Sequence, residues 1–180
     1  MNEFSIPLSL DDVPPSGTEM RFEANEQQRA ALAKRFNIIE LNSLRGVAKV
    51  KSWRKVGLAL EGHFTAELVQ ACVVTLEPVP EKLDESFKLY FLPEEMIGGS
   101  AAPGSEREIV IDVVSEEPPE ALENGGIDVG EAVAEQLSLA MDPYPKKAGV
   151  VFEPPAEGAD EAGARPANPF AALEKLKKKD

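Results

Sequence analysis

The amino-acid sequence predicts an α+β protein: a mostly antiparallel, twisted or barrel-like β-sheet, two main helices, and a flexible C-terminal tail ending in a short helix. Three observations carry that prediction. Apolar residues alternate with period two through 38–76 and again through 86–93. Two other stretches, 25–36 and 127–145, carry helix caps and apolar positions four residues apart. From Glu153 to Ala167 the chain is almost wholly Pro, Ala, Gly and acid, too poor in apolar surface to offset its ordering entropy.

Taken in order, "FSIPLSL" at 4–10 is extended, and Pro7 removes one ladder hydrogen bond, which places it at an edge or in the lead-in to an edge strand. "NEQQRAALAKRF" is a helix with Asn25 as N-cap, Gln28 completing a capping box, and Leu32 and Phe36 on one face. Leu44, Ala48 and Val50 then share a strand face with Gly46. Val56, Leu58 and Leu60 repeat the pattern, and Phe64, Ala66 and Leu68 repeat it again after an expected turn at Glu61–Gly62. The gaps are short enough for antiparallel hairpins. Leu68–Val74 is apolar on both faces except at Gln70, as a central, doubly covered strand would be.

"SFKLYFLP" at 86–93 puts Phe87, Leu89 and Phe91 on one face, and "REIVIDVV" at 107–114 reads as a further strand. Acidic, Pro-containing residues 115–126 read as a solvated connection. In "IDVGEAVAEQLSLAMDPYP", Asp128 caps a helix, Glu131 completes a capping box, and Val129, Val133, Leu137 and Met141 recur every four residues until Asp142-Pro143 stops it. The expected organisation is one domain over 1–150, a flexible acidic linker over 151–167, and a short amphipathic basic tail over 168–180.

Charge separates these parts. The chain of 180 residues has a formal charge of -13, yet residues 165–180 carry a net +3. In the tail, Asn168 is a favoured N-cap and Pro169 suits the first helical position. Phe170, Leu173 and Leu176 form an apolar stripe, and Lys177–Lys179 sit where the helix dipole favours cations. A helix this short is marginal alone in water. Its stripe therefore docks on a partner, folds back on its own domain, or has no role. In the domain itself, the basic concentration is residues 41–60, with Arg45, Lys49, Lys51, Arg54 and Lys55 and no acid. In an unbroken strand Arg45, Lys49, Lys51, Trp53 and Lys55 project away from the apolar face. Such a strip can track phosphates and stack an unpaired base on Trp53. The same residues also suit a solvated outer face.

Recognised chemistry is sparse. His63 is expected in the Glu61–Gly62 turn, and the single cysteine, Cys72, excludes an internal disulfide and leaves too few soft ligands for structural zinc. Cys72 is expected to be a small buried hydrophobe on a face with Phe64, Leu68 and Val74. No HExxH, GxSxG or phosphate-cradling Gly-Lys loop occurs. The expectation is a chain with no enzyme activity, cofactor or metal. No apolar run of membrane-spanning length and no basic, apolar leader at "MNEFSIPLSLDDVPP" is found, so a cytoplasmic protein is expected.

Finally, "RPANPFAALEKLKKKD" resembles the closing "RPNPFAxLxxLK" segment of the YceD family, the large ribosomal RNA subunit accumulation proteins. "IDVGEAVAEQLSLAMDPYP" resembles the family's acidic-stretch-then-helix element in an alphaproteobacterial form, and "VQACVVTLEPV" its central strand. The resemblance implies a bacterial cytoplasmic factor needed for 23S rRNA accumulation, with no catalytic activity. The implied partners are 23S rRNA or its precursor, or a large-subunit assembly or processing protein, and no membrane or DNA. Many members carry C-x-x-C, whereas this chain has Cys72-Val73-Val74-Thr75. Any metal or redox role of that motif is thereby in doubt here.

Overall fold

Alternation over so many residues becomes two long strands rather than three short ones. In the computed structural model, which describes residues 3–97 and 118–151, β3 (Glu40–Trp53) and β4 (Gly57–Ala71) form a hairpin, and β5 (Pro78–Leu92) pairs along the other edge of β4. Before them come β1 (Pro7–Ser9), β2 (Thr18–Glu23) and α1 (Glu26–Arg35), and after them β6 (Glu120–Ala121), β7 (Gly126–Asp128) and α2 (Val129–Ala140). The main sheet has the order β2-β3-β4-β5-β6 and is antiparallel except for the short β5–β6 pairing. Among the described residues it is open, with β2 and β6 as its edges, and not a closed barrel. Among the described residues strand β1 pairs only with β7, which suits the missing N–H of Pro7.

Period two explains the layering. Leu44, Ala48 and Val50 of β3 and Leu58, Leu60, Phe64, Ala66 and Leu68 of β4 are almost wholly buried. Helix α2 adds Val129, Val133 and Leu137, one face at every fourth residue, against β4, β5 and β1. Helix α1 packs on β3 through Leu32 and Ala33. A register shift between Leu41 and Ser43 lets both Leu41 and Leu44 face inward despite their spacing of three. Strand β2 has only Met20 and Phe22 as inward apolar positions, too few to signal a strand in the sequence.

The turn expected at Glu61–Gly62 is absent, because β4 runs straight through it. Gly62 is a gap in the inner face, filled by the ring of Phe87 directly opposite. A Cβ there would lie 2.2 Å from Phe87 Cζ. His63 therefore stands in mid-strand on the outer face, with Nε2 2.7 Å from Asp84 Oδ1. The strand expected over Leu68–Val74 stops at Ala71. Residues Cys72–Leu76 close a tight turn in which Leu76 N donates to Cys72 O at 2.9 Å and Leu76 has φ +62°. An apolar run is thus shared between a strand end and a turn, and Val73 is exposed.

Both helix caps form on the residues expected. Asn25 and Gln28 make the reciprocal capping box of α1. Asp128 accepts from Gly130 N at 3.0 Å and Glu131 N at 3.2 Å, and also from Ile6 N at 2.8 Å, so one carboxylate caps α2 and anchors the N-terminal segment. Glu131 does not complete a box. It forms a two-pronged pair with Arg35 at the end of α1, with Nη1 to Oε2 at 2.9 Å. That bond, foremost, raises the Arg35 pKa further above its already high value. The described residues up to Val150 belong to one compact unit. The strand expected at 107–114, most of the linker, and the tail with Pro169, Phe170, Leu173 and Leu176 lie outside the described residues.

Candidate nucleic-acid interface

The outer face of the sheet carries the alternate residues of each strand, and its register decides which charges meet. Lys49 lies between Glu19 of β2 and Glu61 of β4, and its Nζ is 3.9 Å from the Glu19 carboxylate. Glu61 in turn meets Lys88 of β5 at 3.6 Å. Arg45 stands opposite Glu23 and near Glu67, whose carboxyl is held below the usual range first by its bond to Lys82 and last by Arg45. The segment 41–60 contains no acid, but neighbouring strands supply them. Lys49 is therefore charge-paired on a solvated face, and Arg45 lies on the same face among the acids of neighbouring strands, an arrangement that adds little to stability.

At the β3–β4 turn the pattern changes. Trp53 is the last residue of β3, and Arg54, Lys55 and Val56 form a three-residue loop before Gly57. The Trp53 and Tyr90 rings lie 4.6 Å apart between centroids, tilted by 39°. The two belong to strands separated by β4, where Gly57 is paired with Trp53 and Ala59 with Tyr90. These small residues leave the space over which the rings meet. A Cβ at Gly57 would lie 2.2 Å from the Phe91 carbonyl oxygen. The Arg54 guanidinium lies 4.3 Å from the Trp53 ring centroid, and Lys88 Nζ lies 5.1 Å from that of Tyr90. Lys88 is held above the usual lysine range, first by Tyr90 and then by Glu61. Lys51 and Lys55 are exposed and form no ion pair among the described residues.

Arg54 and Lys55 have φ of +49° and +69°. For residues with a Cβ this region costs roughly 1–3 kcal/mol each, and Gly or Asn would occupy it more cheaply. An exposed cation–π contact recovers only about 0.5–1 kcal/mol. The loop thus keeps two cations beside a tryptophan at some expense in local stability.

The six residues of the sequence-predicted strip therefore divide. Lys51, Trp53, Arg54 and Lys55 gather at the hairpin end, with Lys55 in the loop rather than on the strand, while Lys49 is drawn into a cross-strand pair with Glu19 and Arg45 lies away from the tip, opposite Glu23 and near Glu67. Lys88 and Tyr90 were not foreseen. Their alternation with Phe87, Leu89 and Phe91 put them on the outer face, but nothing in the sequence gives the register that brings β5 to the β3 end. A depression of about 530 Å³ lies elsewhere, between α1 and β3, and holds no ring or thiol.

Cys72 is buried at the opposite end of the sheet, off the strand and outside the main core cluster. Its Sγ accepts from Lys147 N at 3.5 Å. Bonds from the Thr75 hydroxyl first, then from the Lys147, Thr75 and Val74 N–H groups, push the thiol down to about 6. The small-hydrophobe expectation thus holds for burial and not for surroundings, which are polar donors. No group of three or more His, Cys, Asp or Glu suited to a metal ion occurs among the described residues. No helix among them is long and apolar enough to cross a membrane.

Fold and site together define a class: an α+β protein built on one open sheet, helices on one face and a charge-paired ladder on the other, ending in a basic aromatic hairpin tip. The family model of YceD, large ribosomal RNA subunit accumulation protein, matches residues 60–177. The chain belongs to that family, and with it to a role in large-subunit rRNA accumulation. No curated protein and no solved structure matches it.

Proposed function

We propose that this chain is a non-enzymatic factor that supports large-subunit rRNA accumulation by binding the rRNA or its precursor through the tip of the β3–β4 hairpin. The observation that carries this reading is the gathering of Lys51, Arg54 and Lys55, with Lys88 shared between Tyr90 and Glu61, around the Trp53–Tyr90 pair in a chain of net charge -13. Phosphate attraction needs local positive potential, and the acidic remainder disfavours contact elsewhere. The stripe Phe170, Leu173 and Leu176, by its sequence, supplies a second contact to an assembly or processing protein.

A second reading is a protein-interaction adaptor with no RNA contact. It is favoured by the acid that pairs with Lys49 and by the acids on the strands beside Arg45. The test replaces Lys51, Arg54 and Lys55 by Gln in cells that depend on this chain. The RNA reading expects mature large-subunit rRNA to fall while the folded protein persists at its normal level. Undiminished rRNA with all three cations gone would favour the adaptor.

A further inference from the structure

Resting on the RNA reading, we propose that the hairpin tip takes an unpaired stretch of RNA, one base stacking on Trp53 in place of Arg54. The argument begins with what surrounds the ring. Tyr90 is buried and approaches Trp53 across the small residues Gly57 and Ala59, so it supports the indole from within the sheet. Arg54 is exposed and belongs to a short loop held in the left-handed region. It is the neighbour that can leave. A guanidinium over a half-buried indole at the surface is a weak contact compared with a base stacked on the same ring. Once displaced, its planar fork is free to bond a phosphate in two-pronged fashion, which a lysine cannot match.

The cations beside the ring fit the same ligand. Lys51 stands two residues before Trp53 on the outer face, Lys55 two residues after it in the loop, and Lys88 lies two residues before Tyr90. A strand laid along them meets positive charge on both sides of the stacked base. Along a duplex the bases are stacked on one another, so it offers this ring backbone and base edges but no free base face. The tip therefore separates unpaired from paired RNA without reading the identity of the base.

Trp53 is the only tryptophan in the chain, so its fluorescence reports the event directly. The full-length protein is titrated with single-stranded oligoadenylate of about twelve nucleotides, and with the same strand annealed to oligouridylate. The expected result is quenching of Trp53 by the single strand, with clearly weaker binding and no quenching by the duplex. Trp53→Ala should weaken single-strand binding roughly 5- to 150-fold, and Trp53→Phe, which keeps a ring, should restore most of it. Equal affinity for both forms without quenching overturns stacking, yet leaves an RNA contact through phosphates alone. Binding to neither form overturns the RNA reading itself.

Discussion

Gly62 and Phe87 allow the packing argument to be tested with numbers. A methyl group at Gly62 would meet Phe87 ring atoms at 2.2, 2.3 and 2.9 Å, and the half-buried ring is confined by Phe64, 6.2 Å away between centroids. Overpacking of this kind costs roughly 1–3 kcal/mol. Replacing Gly by Ala also removes freedom from the unfolded chain, worth about 0.4–1 kcal/mol in the opposite direction. Gly62→Ala should therefore destabilise by about 1–2 kcal/mol. Phe87→Ala should cost about 2 kcal/mol, less than for a fully buried ring. In the Phe87→Ala background the clash is gone, and Gly62→Ala should become neutral or slightly stabilising. Urea denaturation of the four proteins gives the coupling directly. An unchanged cost of Gly62→Ala without the ring would show that the glycine is required for its backbone, and would refute the reasoning.

Other consequences can be measured as simply. Asp128→Ala removes the cap of α2 and orphans Ile6 N–H together, and should destabilise by about 2 kcal/mol or more in the same assay. Lys55→Gly should relieve the left-handed strain, leaving stability unchanged or up to about 1 kcal/mol higher, and should still weaken RNA binding, the opposite signs marking a residue kept for its charge. Cys72 should titrate by thiolate absorbance near 6 rather than near the ordinary thiol value of about 8.5. Because its folded pKa is the lower one, the stabilisation it gives is complete above the unfolded pKa and is lost as pH falls through about 6. Cys72→Ala should remove that part of the pH dependence. A midpoint near 8.5 in the folded protein would contradict the donor arrangement.

What the sequence revealed and what it concealed have the same origin. Both helices were legible because their caps are local: Asn25 with Gln28, and Asp128 before Val129. The inner face of β3 and β4 was legible because period two is local as well. Gly62 misled because a glycine that admits a ring from the opposite strand looks, in sequence, like one that makes a turn. Pro78 and Pro80 hid the first half of β5, and Cys72–Leu76 hid a turn among apolar residues. The candidate site was half legible. Trp53 and its cations are close in sequence, but the acids that face Arg45 and Lys49, and the Tyr90 that supports Trp53, come from other strands and enter only through register.

Salt dependence tests the central claim most directly. Affinity for a fragment of large-subunit rRNA is measured across a range of salt concentrations for the full-length protein and for Lys51→Gln/Lys55→Gln. Contact between the hairpin tip and RNA predicts a steep loss of affinity with salt for the unaltered protein, and a slope shallower by roughly 1.4–1.8 for the double variant, two counterion releases fewer. Superimposable curves from the two proteins would contradict it.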